Sequence, residues 1–183
     1  MFLFKGNRKY LHSTDIFSFF NDNYKFKNIE IFFKNFITTS PKIIKLKSIS
    51  SKMSYDALVI IKNGNYTKYF VLKNSKKKIK LSYSYDENLL YKIFKISKKK
   101  VSFKGSCSIK NIDLIISMIK FWHIKNIGKK NWIVYRLKIN GNILEKNYKN
   151  ITIQNIKNAN KKYTINSLKI NNKNYGYVYF SIK

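Results

Sequence analysis

The chain has 183 residues and sets 38 basic side chains against 8 acidic ones, a formal net charge of +30. Its 44% hydrophobic and 16% aromatic content is too rich for a disordered tail. A single Cys excludes a disulfide framework and a multi-cysteine zinc site, and no run of ~18 apolar residues offers a membrane-spanning helix.

In chain order, residues 1–5 read as a short strand. This apolar run is too short for a signal peptide, so the cytoplasm is the expected location. Ser13-Thr14-Asp15 marks a helix start, with hydroxyl caps and an acid in the first turn, and a helix from about Asp15 to Asp22 follows. Residues 27–37 and 42–49 read as strands. Residues 55–73 form a hairpin around Asn63-Gly64-Asn65, and 78–85 alternate as a strand. Asp86 caps a short helix reaching Ile96. Residues 100–104 are a strand. Residues 111–126 form the strongest helix, with apolar side chains pointing almost all round its axis, the signature of an enclosed helix. Strands are expected at 131–139, 149–156, 162–170 and 175–182, with Asn-rich turns at 158–160 and 171–174.

The two halves share an order of elements. Phe4-Lys5-Gly6 precedes Asp15, an apolar helix and long strands; Phe103-Lys104-Gly105 precedes Asp113, an apolar helix and long strands. The expected fold is therefore α+β, a tandem duplication of strand-helix-four-strand repeats. One repeat spans 1–97 with a linker helix, and the other spans 98–183.

A greasy helix inside curled strands, present twice, resembles the hotdog superfamily of acyl-thioester enzymes. The form is the double hotdog, in which two central helices are wrapped by antiparallel sheet and one chain replaces a homodimer. The resemblance covers most of the chain at the level of topology. It implies an acyl-thioester-binding protein taking acyl carrier protein or acyl-CoA, with 3-hydroxyacyl-thioester dehydratase (lyase) activity as its specific form. It implies no cofactor and no metal. Members carry a His near a Gly-Pro loop and an acid on the partner helix. Here His12 stands just ahead of the first helix and Asp113 at the start of the second. The Gly-Pro loop is missing, since the only Pro is Pro41.

On this reading His12 is a general base for the Cα proton, with Asp15 or Asp113 as the ionised acid. Backbone near Gly105 and Ser106 polarises the thioester carbonyl, and Trp122 lies along the substrate. The alternative role of Asp15 and Asp113 is to stabilise their helix ends. His123 reads as a core or helix-end residue, and Cys107 as a small buried one.

The basic residues are 36 Lys and two Arg, Arg8 and Arg136. Lys, Asn, Ile, Phe and Tyr all have A/T-rich codons, so codon drift accounts for part of the charge. Whatever its origin, the field attracts polyanions. Tyr175, Tyr177 and Tyr179 share one face of the last strand. That gives the second reading, a nucleic-acid-binding module without catalysis, using Lys for phosphates and Tyr for stacking. A structural or assembly protein is the third.

Overall fold

The computed structural model describes residues 2–105, 109–141 and 150–183. The chain separates into two compact units, Met1–Tyr85 and Asp86–Lys183.

In the first unit, the strand β1 (Phe4–Lys5) leads into the helix α1 (Ser13–Asn23). Gly6, at φ 58°, turns the chain out of β1 after two residues. The strands β2 (Asn28–Phe33), β3 (Lys42–Leu46), β4 (Ala57–Asn63) and β5 (Tyr66–Lys73) form an antiparallel sheet in the order β3-β5-β4-β2. The β4–β5 hairpin turns at Gly64, φ 60°, where the sequence places it. The strand β6 (Ser82–Tyr83) pairs in parallel with β1, apart from that sheet. Ile16, Phe17 and Phe20 of α1 join Ile29, Ile31, Val59 and Phe70 in the core, with Phe20 and Phe70 ring centroids 5.2 Å apart.

In the second unit, a single turn of helix, α2 (Asn88–Tyr91), precedes the strands β7 (Lys95–Ile96) and β8 (Lys100–Lys104). The helix α3 (Asn111–Asn126) follows, then β9 (Trp132–Asn140), β10 (Asn150–Ala159), β11 (Tyr163–Ile170) and β12 (Lys173–Ile182). The strand order is β9-β12-β11-β10-β8-β7, with antiparallel ladders. Both long hairpins close on residues in the left-handed region: Asn160 and Lys161 at φ 50° and 54°, Asn171 and Asn172 at 47° and 65°. Asn tolerates this conformation better than other non-glycine residues, and two consecutive positive φ values match the right-handed twist of the flanking strands. As its sequence requires, α3 is buried almost all round, from Asn111 through Ile119 and again over Phe121, Trp122 and His123. Its Phe121 ring stacks on Tyr91, centroids 4.9 Å apart, and Lys120 donates to Glu87 Oε1 at 2.8 Å.

The double-hotdog expectation is corrected here. The protein is mostly β, 44% strand and 18% helix, with three helices among the described residues; it is not a pair of central helices wrapped by sheet. Differences between the halves undo the expected repeat. The first is in the helices: α1 exposes Asp22 and Asn23 and half-buries Ser13 and Phe19, so it is an amphipathic helix with one wet side, unlike α3. The second is in the strands. The leading strand of the second half, β8, lies inside its sheet between β10 and β7, whereas β1 leaves its sheet and pairs with β6. After the helix the orders also differ, β2-β4-β5-β3 against β9-β12-β11-β10. The matching tripeptides behave differently as well. Lys5 is fully buried and Lys104 exposed; Gly6 has φ 58° and Gly105 φ 134°.

Smaller differences follow from packing. The strand expected at 78–85 shortens to Ser82–Tyr83, and the helix expected at 86–96 to Asn88–Tyr91. The charged residues around each leave too little apolar surface to extend it.

Candidate functional site

Polar side chains gather in the interior of the first unit at the start of α1. His12 occupies the N-cap position in extended backbone, φ −75° and ψ 146°, and makes no side-chain cap bond. Its ring is 5% exposed, and Nδ1 lies 2.9 Å from Thr14 Oγ1. The Thr14 hydroxyl, read in the sequence as a cap, is therefore turned to the imidazole instead.

Lys5 supplies the second contact. Its side chain is fully buried, Nζ donates to the same Thr14 Oγ1 at 3.3 Å, and the ammonium sits 3.8 Å from the centroid of the Tyr85 ring. An ammonium taken out of water at such cost is held by hydrogen bonds and by the negative face of an aromatic ring. The Thr14 oxygen has two lone pairs, so it can accept from both Lys5 Nζ and His12 Nδ1–H, and in that tautomer Nε2 is the unprotonated nitrogen. Asp15, one residue on, accepts a hydrogen bond from Tyr83 O–H at 2.7 Å and lies in the first helical turn, where the dipole favours a carboxylate. Leu11, Ile16, Phe17 and Ile37 are the buried apolar residues closest in sequence to this group or bonded to its backbone; Leu11 N–H donates to Ile37 C=O at 2.7 Å.

Of the residues singled out in the sequence, His12 joins Lys5 and Thr14 in a buried group, with Lys5 against the half-buried Tyr85. Asp15 lies three residues on, half-buried, and is held by Tyr83. No sequence signal marks Lys5, one of 36 lysines. The tyrosines are visible only as strand residues.

Asp113 lies in the second unit, in the first turn of α3, buried beside Asn111 and near the fully buried Ser117. Gly105 ends β8, half-buried. Ser106 and Cys107 lie outside the described residues. Trp122 is 4% exposed in the core of the second unit.

His123, read as a core residue, is fully buried. Its ring stacks on Trp132 with centroids 4.0 Å apart, and Nε2 lies 2.8 Å from Thr164 Oγ1. Nδ1 meets no hydrogen-bond partner among the described residues. Burial first, then the neighbouring Lys120 charge, pushes its pKa down from 6.5 to about 3, so the ring is neutral at ordinary pH.

Among the described residues, no group of three or more His, Cys, Asp or Glu side chains could hold a metal ion, and no helix is long and apolar enough to cross a membrane. Comparison with protein-family models, with curated proteins and with solved structures finds no match to this chain.

Proposed function

We propose that the protein binds acyl thioesters and that the group at the start of α1 meets the acyl chain near its thioester end. The observation that carries the reading is the buried His12 ring, oriented through Nδ1 by Thr14. An imidazole so held is equipped to move a proton on a carbon acid in a water-poor site.

For a 3-hydroxyacyl thioester, Nε2 takes the Cα proton while the thioester carbonyl carries the developing negative charge. The Cβ–O bond then breaks, and the imidazolium returns its proton to the departing hydroxide. The products are a 2-enoyl thioester and water, and His12 ends as it began. Thr14 acts as a positioning residue. The buried ammonium of Lys5 supplies positive charge near a developing enolate. The net charge of +30 suits an acidic carrier protein as the donor of the acyl group.

The test uses 3-hydroxybutyryl-pantetheine and the matching enoyl thioester with the full chain. Turnover is followed by absorbance of the conjugated product, and binding by calorimetry. His12→Ala should lower turnover by roughly 100-fold or more. Thr14→Val should lower kcat with little change in KM, because binding survives while the ring loses its orientation. Failure of the wild-type protein to bind any acyl-pantetheine, or turnover unchanged in His12→Ala, rejects the reading.

A further inference from the structure

A second surface stands apart from this chemistry. In the second unit, β12 alternates cleanly: Val178 and Phe180 are buried, while Tyr175, Tyr177 and Tyr179 are half-exposed on the opposite face. The register sets Arg136 and Lys138 of β9 opposite Tyr179 and Tyr177. A bulge between Tyr179 and Phe180 leaves Tyr135 as the extra residue of β9. Its ring lies 5.2 Å from Tyr163 and 5.9 Å from Tyr179, and the Arg136 guanidinium sits 4.9 Å over the Tyr179 ring. The face is therefore a run of aromatic planes with a cation stacked on one of them.

Charge completes the picture. Among the described residues, the six strands of this unit carry no Asp or Glu, yet every one carries Lys or Arg. In a chain with 36 Lys and two Arg, one of the two arginines stands on this face, where its planar group can both stack and contact phosphate. An acidic protein would answer the charges but would leave the rings unused. A duplex would answer the charges while keeping its bases stacked inside. A flexible strand with unpaired bases uses both features.

We propose that the β9–β12–β11 face of the second unit binds single-stranded nucleic acid. Bases stack on Tyr135, Tyr163 and Tyr179, and Arg136 and Lys138 neutralise the backbone. Recognition is sequence-tolerant, since every base has a π-face and lysine is a point charge. The proposal is independent of the acyl-thioester reading.

The experiment is anisotropy titration of a labelled oligothymidylate with the full chain over a salt series. Competitors are a duplex of equal length, polyphosphate and an acidic carrier protein. Tyr179→Leu, which keeps an apolar strand residue, should weaken binding by roughly tenfold, and Tyr179→Phe should bind like the wild type. Lys138→Gln should lower the log-log salt slope by about 0.7. Circular dichroism melts establish that each variant is folded. Equal affinity of Tyr179→Leu and Tyr179→Phe overturns the proposal. So does competition by the duplex, the polyphosphate or the acidic protein that matches or exceeds that of unlabelled oligothymidylate. Should Tyr179→Leu not fold, tyrosine fluorescence on adding the strand decides: quenching in the wild type supports stacking, and its absence at saturation rejects it.

Discussion

Gly176→Ala is expected to be the most damaging single-methyl change in the second unit. Gly176 sits in β12 at φ 136°, opposite Leu168 of β11 and Ile139 of β9. A Cβ built there would lie 2.0 Å from the Lys138 carbonyl oxygen and 3.0 Å from Ile139 Cα. These are backbone atoms of a paired strand, so no side-chain rotation relieves the contact. Relief requires β9 and β12 to part, which breaks ladder hydrogen bonds and opens the core under Val178 and Phe180. The positive φ adds strain of its own, about 1–3 kcal/mol. Together these place the loss at about 4 kcal/mol or more, among the largest single-residue effects, and the melting temperature should fall by more than about 10 °C. Gly64→Ala is the comparison: it also has positive φ, 60°, but nothing lies within 4 Å of its Cβ, so only the backbone term applies. Thermal denaturation followed by circular dichroism checks both. A Gly176→Ala melt no lower than that of Gly64→Ala would contradict the close strand approach.

The second large effect is the acid sensitivity set by His123. Its pKa in the folded chain is about 3, against 6.5 for the free side chain. Between these values the unfolded chain binds a proton that the folded chain refuses, so stability is full above about pH 6.5 and falls as the pH drops. The slope approaches about 1.4 kcal/mol per pH unit and persists until the folded ring itself protonates. The structural cause is plain: imidazolium would be enclosed between Trp132 and Phe180, with Nδ1 unpartnered among the described residues and Lys120 nearby. Urea unfolding at pH 7.5 and pH 5 should therefore differ by about 2 kcal/mol in the wild type. In His123→Gln the difference should shrink, even though the variant is less stable at neutral pH for want of the Trp132 stack. Parallel pH dependence in the two proteins would mean that His123 is not the group responsible.

The chemistry at the start of α1 was half visible in the sequence. His12 ahead of an apolar helix and Asp15 in its first turn can be picked out by type and spacing. What cannot be picked out is Lys5. In a chain where lysine is the commonest charge, composition and periodicity treat it as solvent-facing, and only the pairing of β1 with β6 encloses it beneath Tyr85. Thr14 shows the same limit. A hydroxyl at a helix start reads as a cap, but the presence of His12 and Lys5 on either side redirects it. On β12 the shared face of Tyr175, Tyr177 and Tyr179 follows from strand alternation. The contact of Tyr179 with Arg136 and Tyr135 depends on a register and a bulge in a strand some forty residues earlier.

Local elements are legible in the chain's residues alone: the turn at Gly64, the Asn-rich hairpin turns, the long strands of the second half and the enclosure of α3. Each is a property of a short window, where turn conformation, alternation or an all-round apolar surface leaves few alternatives. Tertiary structure alone decided the order of the strands, the departure of β1 from its sheet and the burial of Lys5, and with them the unlike construction of the two halves. These depend on which distant segments pair. Similar apolar strands compete for the same neighbours, and the outcome is set by the free energy of the whole sheet and core, to which no single window has access.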